Sequence, residues 1–165
     1  MNAAVLRPPQ AAPTTLQPLT LAMLGELLAI ERGAYEFPWT RGNFIDSIAA
    51  GYLAQALIGD SDGAMRAYLI AMPGVDEMHL LNLTVAPAWQ RRGIATELLD
   101  ELVRRCRERA ARQLWLEVRG GNGAARALYA RYGFSYIGLR KAYYPAAGGQ
   151  REDALVMGLK IDGVV

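Results

Sequence analysis

The sequence predicts an α/β fold with a mixed central sheet, and three observations carry that expectation. Apolar residues make up 52% of the chain and charged residues 21%, enough to fill one core in 165 residues. The middle of the chain reads strand–helix–strand–helix–strand, and a strand–helix–strand crossover favours parallel neighbours. Both flanks read as hairpins, whose strands are antiparallel. One domain is expected over 19–165. It follows a flexible tail over 1–18, which holds four prolines and no continuous apolar run.

Each element has its own signal. Leu21, Leu24, Leu27 and Leu28 are spaced as one face of a helix over about 20–32. Glu36-Phe37-Pro38-Trp39-Thr40 interrupts it. Thr40 can then cap a second helix over about 41–50, with Phe44, Ile45 and Ile48 turned inward. Residues 52–58 and 65–72 are apolar runs flanking Gly59-Asp60-Ser61-Asp62-Gly63, a hairpin signal. A third strand-like run spans 78–86. Over 93–110, Ile94, Ala95, Leu98, Leu99, Leu102, Val103 and Cys106 form one stripe among charged residues, as in a helix half-buried on a core. Residues 114–118 read as a short strand. Its alternation puts Leu114, Leu116 and Val118 on one face, Trp115 and Glu117 on the other. Gly120, Gly121 and Gly123 surround Asn122 ahead of a helix over about 123–132, which Gly133 can end. Residues 134–144 and 153–161 read as a final strand pair.

Composition excludes several classes. A net charge of +2 is too small to argue for a nucleic-acid surface. Arg supplies all the basic residues but two, Lys141 and Lys160, without forming a basic stripe. No apolar stretch is long enough to span a membrane. Cys106 is the only cysteine and falls on the apolar side of its helix, so it reads as core and no internal disulfide is possible. His79 is the only histidine; it has no Cys or Ser partner and no metal-ligand spacing, and reads as structural or solvent-facing. No metal site is legible, and a cytoplasmic address fits the whole.

The run Leu83-Thr84-Val85-Ala86-Pro87-Ala88-Trp89-Gln90-Arg91-Arg92-Gly93-Ile94-Ala95 is the most informative stretch. A strand enters a turn with two arginines and a glycine, and an amphipathic helix starts. Backbone N–H groups from about Arg91 to Thr96 lack partners in the first helical turn and lie at the positive end of the helix dipole. Such a turn can hold a phosphate group. Taken alone, it is equally an ordinary turn with solvated arginines.

The wider pattern resembles the GNAT superfamily of N-acetyltransferases, and within it the RimI-type protein N-terminal alanine acetyltransferases. The matching pieces, in family order over about 19–161, are Phe37-Pro38-Trp39, Asn82-Leu83-Thr84-Val85, Gln90-Arg91-Arg92-Gly93-Ile94-Ala95 and Leu114-Trp115-Leu116-Glu117-Val118-Arg119. They continue with Asn122, Ala127-Leu128-Tyr129, Gly133-Phe134, Tyr143-Tyr144-Pro145 and Glu152-Asp153-Ala154-Leu155-Val156-Met157. Three positions depart from the family pattern. Gly121 stands where Ser is usual, Ala95 where Gly is usual, and the loop after Tyr144 is slightly enlarged.

The resemblance implies the GNAT fold, with the strands at 83–85 and 114–118 separated by a cleft for acetyl-CoA. Gln90, Arg91, Arg92, Gly93, Ile94, Ala95 and Thr96 would hold its pyrophosphate. Leu83, Thr84 and Val85 would face the pantetheine arm and the acetyl group, and Asn122 would bond the arm. It implies that Glu117 is the general base and Tyr129 the general acid. By position alone Glu117 reads as a strand-end residue, Tyr129 as a packed core tyrosine and Asn122 as an N-cap. Phe37, Trp39, Tyr143 and Tyr144 would border a peptide groove, or else be buried loop aromatics. The implied reaction is acetylation of a protein N-terminus, the N-terminal alanine of a small-subunit ribosomal protein, by a monomer or weak dimer. A small-molecule amine acetyltransferase and a non-catalytic CoA-binding sensor are the alternatives.

Overall fold

A computed structural model describes residues 12–164. The chain forms one seven-stranded sheet in the order β1-β2-β3-β4-β5-β7-β6. The strands are β1 (Thr14–Pro18), β2 (Leu53–Gly59), β3 (Met65–Pro73), β4 (Glu77–Val85), β5 (Gln113–Arg119), β6 (Ser135–Pro145) and β7 (Arg151–Lys160). The helices are α1 (Leu24–Ala34), α2 (Arg41–Ala49), α3 (Ile94–Glu108) and α4 (Gly123–Tyr132). No helix among the described residues is long and apolar enough to cross a membrane.

The expected tail is corrected over part of its length. Thr14–Pro18 is a strand, paired antiparallel to β2 from Thr14↔Gly59 to Pro18↔Gln55. Pro13 and Pro18 bracket it, and an edge strand tolerates proline at its ends because one side of it needs no ladder bond. Leu16 packs on the main core. The part of the tail expectation over 1–11 lies outside the described residues.

Two cores lie on opposite faces of the sheet. On one face α3 buries Leu98, Leu99, Leu102, Val103 and Cys106 against Leu69, Met78, Leu80, Leu114 and Leu116, and α4 adds Tyr129. On the other, Leu24, Leu27, Leu28 and Phe44 of α1 and α2 pack on Ala54, Ala56, Tyr68 and Ile70. Each buried leucine is worth roughly 1.5–3 kcal/mol in burial free energy. Thr40 caps α2 as expected, accepting a hydrogen bond from Asn43 N at 3.2 Å while the Asn43 side chain accepts from Thr40 N at 2.9 Å.

Only β4 and β5 are parallel, as the α3 crossover requires, and their pairing is short. It runs from Glu77↔Gln113 to Leu80↔Leu116 and stops, although β4 continues to Val85 and β5 to Arg119. Their outer edges stay paired throughout, β4 with β3 and β5 with β7. The sheet therefore opens into a wedge between Leu83–Val85 and Glu117–Arg119.

A bulge in β4 lies at the mouth of this wedge. Ile70 pairs with Asn82 and Ala71 with Leu80, which leaves Leu81 as the extra residue. Before the bulge Met78 and Leu80 face α3; after it Leu83 and Val85 do. Asn82 and Thr84 consequently turn toward α1.

Candidate active site

The α3 N-terminus is shaped as an anion cradle. Gly93 caps it at φ 81°, in the left-handed region where a side chain is strained, and Arg91 precedes it at φ 61°. The first helical bond comes from Glu97 N to Gly93 O, so the preceding N–H groups of Arg91 to Thr96 have no intrahelical acceptor. No atom stands within 4 Å of where a Gly93 Cβ would be, so the space above the turn is open. The loop is braced from below. The Trp89 ring carries the Arg66 guanidinium at 3.7 Å and that of Arg92 at 4.7 Å. Arg66 is itself held by Asp62 at 2.8 Å. Gln90 Nε2 donates to Val85 O at 3.2 Å, tying the turn to the end of β4.

At the wedge, Tyr35 reaches β4 from the end of α1. Its hydroxyl lies 2.7 Å from Thr84 Oγ1 and donates to Leu83 O at 3.3 Å. Thr84 Oγ1 donates to Asn82 Oδ1 at 2.7 Å. Asn82 Nδ2 donates to Glu31, which is 1% exposed. Glu31 also accepts from the Tyr68 hydroxyl and from Trp39 N, the latter at 3.0 Å. One buried carboxylate thus joins the α1–α2 loop to the strand that lines the wedge. Burial raises the Tyr35 phenol above its ordinary value despite its bond to Thr84, and raises that of Tyr68 further.

The sequence reading missed Glu31, Tyr35 and Tyr68, although a signal for Glu31 existed. Leu24, Leu27, Leu28 and Glu31 follow the i, i+3, i+4, i+7 spacing of one buried stripe. A carboxylate in a core stripe requires partners.

Glu117 lies on the opposite face of β5 from Leu116 and Val118, as alternation predicts. Its side chain is 8% exposed, and Oε2 is buried without a hydrogen-bond partner among the described residues. Arg140 Nε is 3.6 Å from that oxygen. His79 Nε2 is 3.6 Å from Oε1. The imidazole stacks on Trp115 with centroids 3.6 Å apart, so the histidine read as structural or solvent-facing abuts the candidate base. That proximity follows from the parallel register His79↔Trp115, which spacing within either strand does not reveal.

The candidate substrate aromatics divide. Arg119 sits between Phe37 at 5.1 Å and Tyr144 at 4.5 Å, and Tyr143 packs edge-on against Tyr144 at 4.9 Å. Burial and the nearby Glu117 carboxylate push the Tyr144 phenol up to about 12. Trp39 does not join them. Its ring packs on Phe44 at 5.1 Å and on the α1–α2 core, and its backbone N–H is what reaches the site network. The strand carrying the tyrosines bulges between Arg140 and Tyr144, with Ala142 at φ 49°. Arg151 clamps this bulge by donating to Ala142 O at 2.7 Å and Tyr143 O at 2.8 Å.

Asn122 is the N-cap of α4, its Oδ1 accepting from Ala125 N at 3.1 Å. Gly121 N donates to Glu152 Oε1 at 2.6 Å, and a Cβ on Gly121 would stand 2.7 Å from that oxygen. Tyr129 is 8% exposed and packs edge-on against Phe134 at 5.4 Å. Burial raises its phenol well above the ordinary value, with further contributions from Tyr35 and Tyr144. Tyr129 belongs to the core on the α3–α4 side, whereas Glu117 faces the α1–α2 side. The two therefore flank the wedge from opposite faces.

A wedge in a mixed sheet, opened by a bulged strand that runs into an anion cradle, is the architecture of an acyl-CoA-dependent transferase. Residues 24–134 match the Acetyltransferase (GNAT) family, and the chain belongs to that family. It is 38% identical over 147 residues to the [ribosomal protein bS18]-alanine N-acetyltransferase of Escherichia coli strain K12, covering 89% of this chain and 97% of the relative. A putative enzyme of the same name from Bacillus subtilis is 30% identical over 144 residues, covering 87% and 93%. The crystal structure of the ribosomal-protein-S18-alanine N-acetyltransferase from Escherichia coli superimposes with a TM-score of 0.81 over 90% of this chain and 94% of that one.

Proposed function

We propose that this chain transfers the acetyl group of acetyl-CoA to the N-terminal α-amine of a protein, with the N-terminal alanine of ribosomal protein bS18 as acceptor. The observation that carries the acceptor is 38% identity across nearly the whole length of an enzyme named for that reaction. The observation that supports the co-substrate is the combination of an anion cradle at Gly93 with a wedge whose inner edges have no strand-to-strand pairing. The cradle fits a pyrophosphate. Leu83, Thr84 and Val85 fit an amide-bearing arm, and the family resemblance assigns Asn122 to the same arm.

Acetyl-CoA supplies an activated thioester. The protein must admit a neutral amine, polarise the acetyl oxygen and manage two protons. An N-terminal α-amine has a pKa near ~7.7–8.0, about two and a half units below that of lysine, so a carboxylate is a sufficient base. Glu117 takes the amine proton on the α1–α2 side. A backbone N–H near Val85 polarises the acetyl oxygen. Tyr129, kept protonated by burial, donates to the departing sulfur from the α4 side. Transfer is direct. Cys106, the chain's only thiol, is fully buried in the α3 core, and burial pushes it up to about 11. Phe37, Tyr143 and Tyr144 border the acceptor, while Trp39 fixes the loop that carries Phe37.

Mass spectrometry of products from acetyl-CoA and a peptide panel tests this reading. Acetylation confined to the α-amine of alanine-initiated peptides is the expected result. Preferential acetylation of polyamines or aminoglycosides would replace it with the small-molecule reading, and CoA binding without any transfer with the sensor reading.

A further inference from the structure

We infer that His79 is a proton relay for Glu117, accepting on Nε2 the proton that Glu117 removes from the acceptor amine. The inference rests on the assignment of Glu117 as base. As the amine lone pair attacks the thioester carbon, one N–H proton passes to Glu117 Oε1. That oxygen faces His79 Nε2 at 3.6 Å. A shift of about half an ångström brings this contact within hydrogen-bond reach, and such contacts are often loose before substrate binds. The imidazolium then releases the proton to water at its exposed edge. The ring is 13% exposed, enough to meet solvent while remaining fixed by its stack on Trp115.

The surroundings favour a ring that starts neutral. Three charged groups act on it: Glu117 on β5, Arg140 on β6 and Glu77 on its own strand. On the other side β3 presents Met72 opposite His79 in register. Burial lowers the imidazole pKa, Glu117 opposes this, and Arg140 adds to it; the sum lies below the ordinary histidine value. A relay needs such a ring, with the proton on Nδ1 and Nε2 open. Arg140, 3.6 Å from Oε2, occupies the other side of the carboxylate, so Oε1 is the oxygen left for proton traffic. Burial raises the Tyr143 phenol above its ordinary value, and its approach to the Glu117 carboxylate adds to this.

The chain has one histidine, so its imidazole NMR signal needs no assignment in a tag-free preparation. We expect its titration midpoint to coincide with the acid limb of kcat, and to move in Glu117→Gln. His79→Phe retains an aromatic ring for the Trp115 stack but no basic nitrogen. It should lower kcat roughly tenfold or more, leave both KM values within about twofold, and remove the acid limb at that pH. His79→Gln, the smaller polar variant, should do the same and guards against loss of the stack. An unchanged kcat and acid limb in both variants would overturn the relay. So would an imidazole titration indifferent to Glu117→Gln. If instead Glu117→Gln keeps full turnover, the base assignment itself fails; a dead Glu117→Gln beside wild-type-like His79 variants defeats the relay alone.

Discussion

Tyr129 and Glu31 illustrate two ways in which burial defines a side chain's work. Burial keeps the Tyr129 phenol protonated, because its raised pKa lies far above that of a free thiol at about 8.5. Tyr129→Phe should reduce kcat about a hundredfold while the KM for acetyl-CoA stays within about twofold, measured by steady-state kinetics. The sign of the shift also fixes the alkaline side. A group whose pKa is raised loses its proton only above the ordinary phenol range, so kcat should show no alkaline limb below about pH 10. Glu31 is an acceptor surrounded by donors from Tyr68, Trp39 and Asn82. Glu31→Gln places an NH₂ group against them, and chemical denaturation should show a loss of roughly 1–3 kcal/mol. Because one oxygen must then serve the Trp39, Tyr68 and Asn82 donors, the hold on the Trp39 loop weakens, and the peptide KM should rise more than that for acetyl-CoA. Glu117, Tyr129 and Asn122 were singled out through the family resemblance of the runs they sit in; by position alone they read as a strand end, a core tyrosine and an N-cap. The network around Glu31, Tyr35 and His79 was not legible, since Tyr68 and Asn82 lie 37 and 51 residues from Glu31, the Tyr35 partners lie 48 to 49 residues away, and the His79 contact depends on a parallel register.

Among the elements, α3 was the most legible. Its apolar stripe names the buried face, and the structure buries Leu98, Leu99, Leu102, Val103 and Cys106 there. Leu102→Ala should destabilise the protein by about 2–5 kcal/mol in urea unfolding, because Leu102 has no exposed surface and the void has little chance to collapse. The start of α3 makes a separate demand. Gly93→Ala meets no steric neighbour, so its penalty is conformational, about 1 kcal/mol for a left-handed φ. Calorimetry should find weaker CoA binding with little change in kcat. The β1 strand was not legible, because Thr14-Thr15-Leu16-Gln17-Pro18 has one apolar residue and two flanking prolines. Pairing with β2, not its own composition, makes it a strand. The β4 bulge was hidden for a similar reason: Leu81 is one leucine in an apolar run, and only the register with β3 marks it as extra.

At the scale of the whole molecule, the parallel crossover and the flanking hairpins were readable from element order. The insertion of β7 between β5 and β6 was not, since sequence order does not fix spatial order in a sheet. Nor was the early end of the β4–β5 ladder, which no residue pattern announces and which the family resemblance alone supplied as an expectation. That early end has a consequence for how the free protein behaves. A sheet that stops pairing midway leaves those amide hydrogens of Leu83–Val85 that do not point to β3 without a ladder partner along one edge of the wedge. These positions should exchange with deuterium far faster than their neighbours at Met78–Leu80, where the ladder is intact. Saturation with CoA at about a hundred times its Kd should slow that exchange and raise global stability by about 2.7 kcal/mol. The unligated protein is thus a sheet with a seam left open, and the proposed co-substrate would finish the sewing.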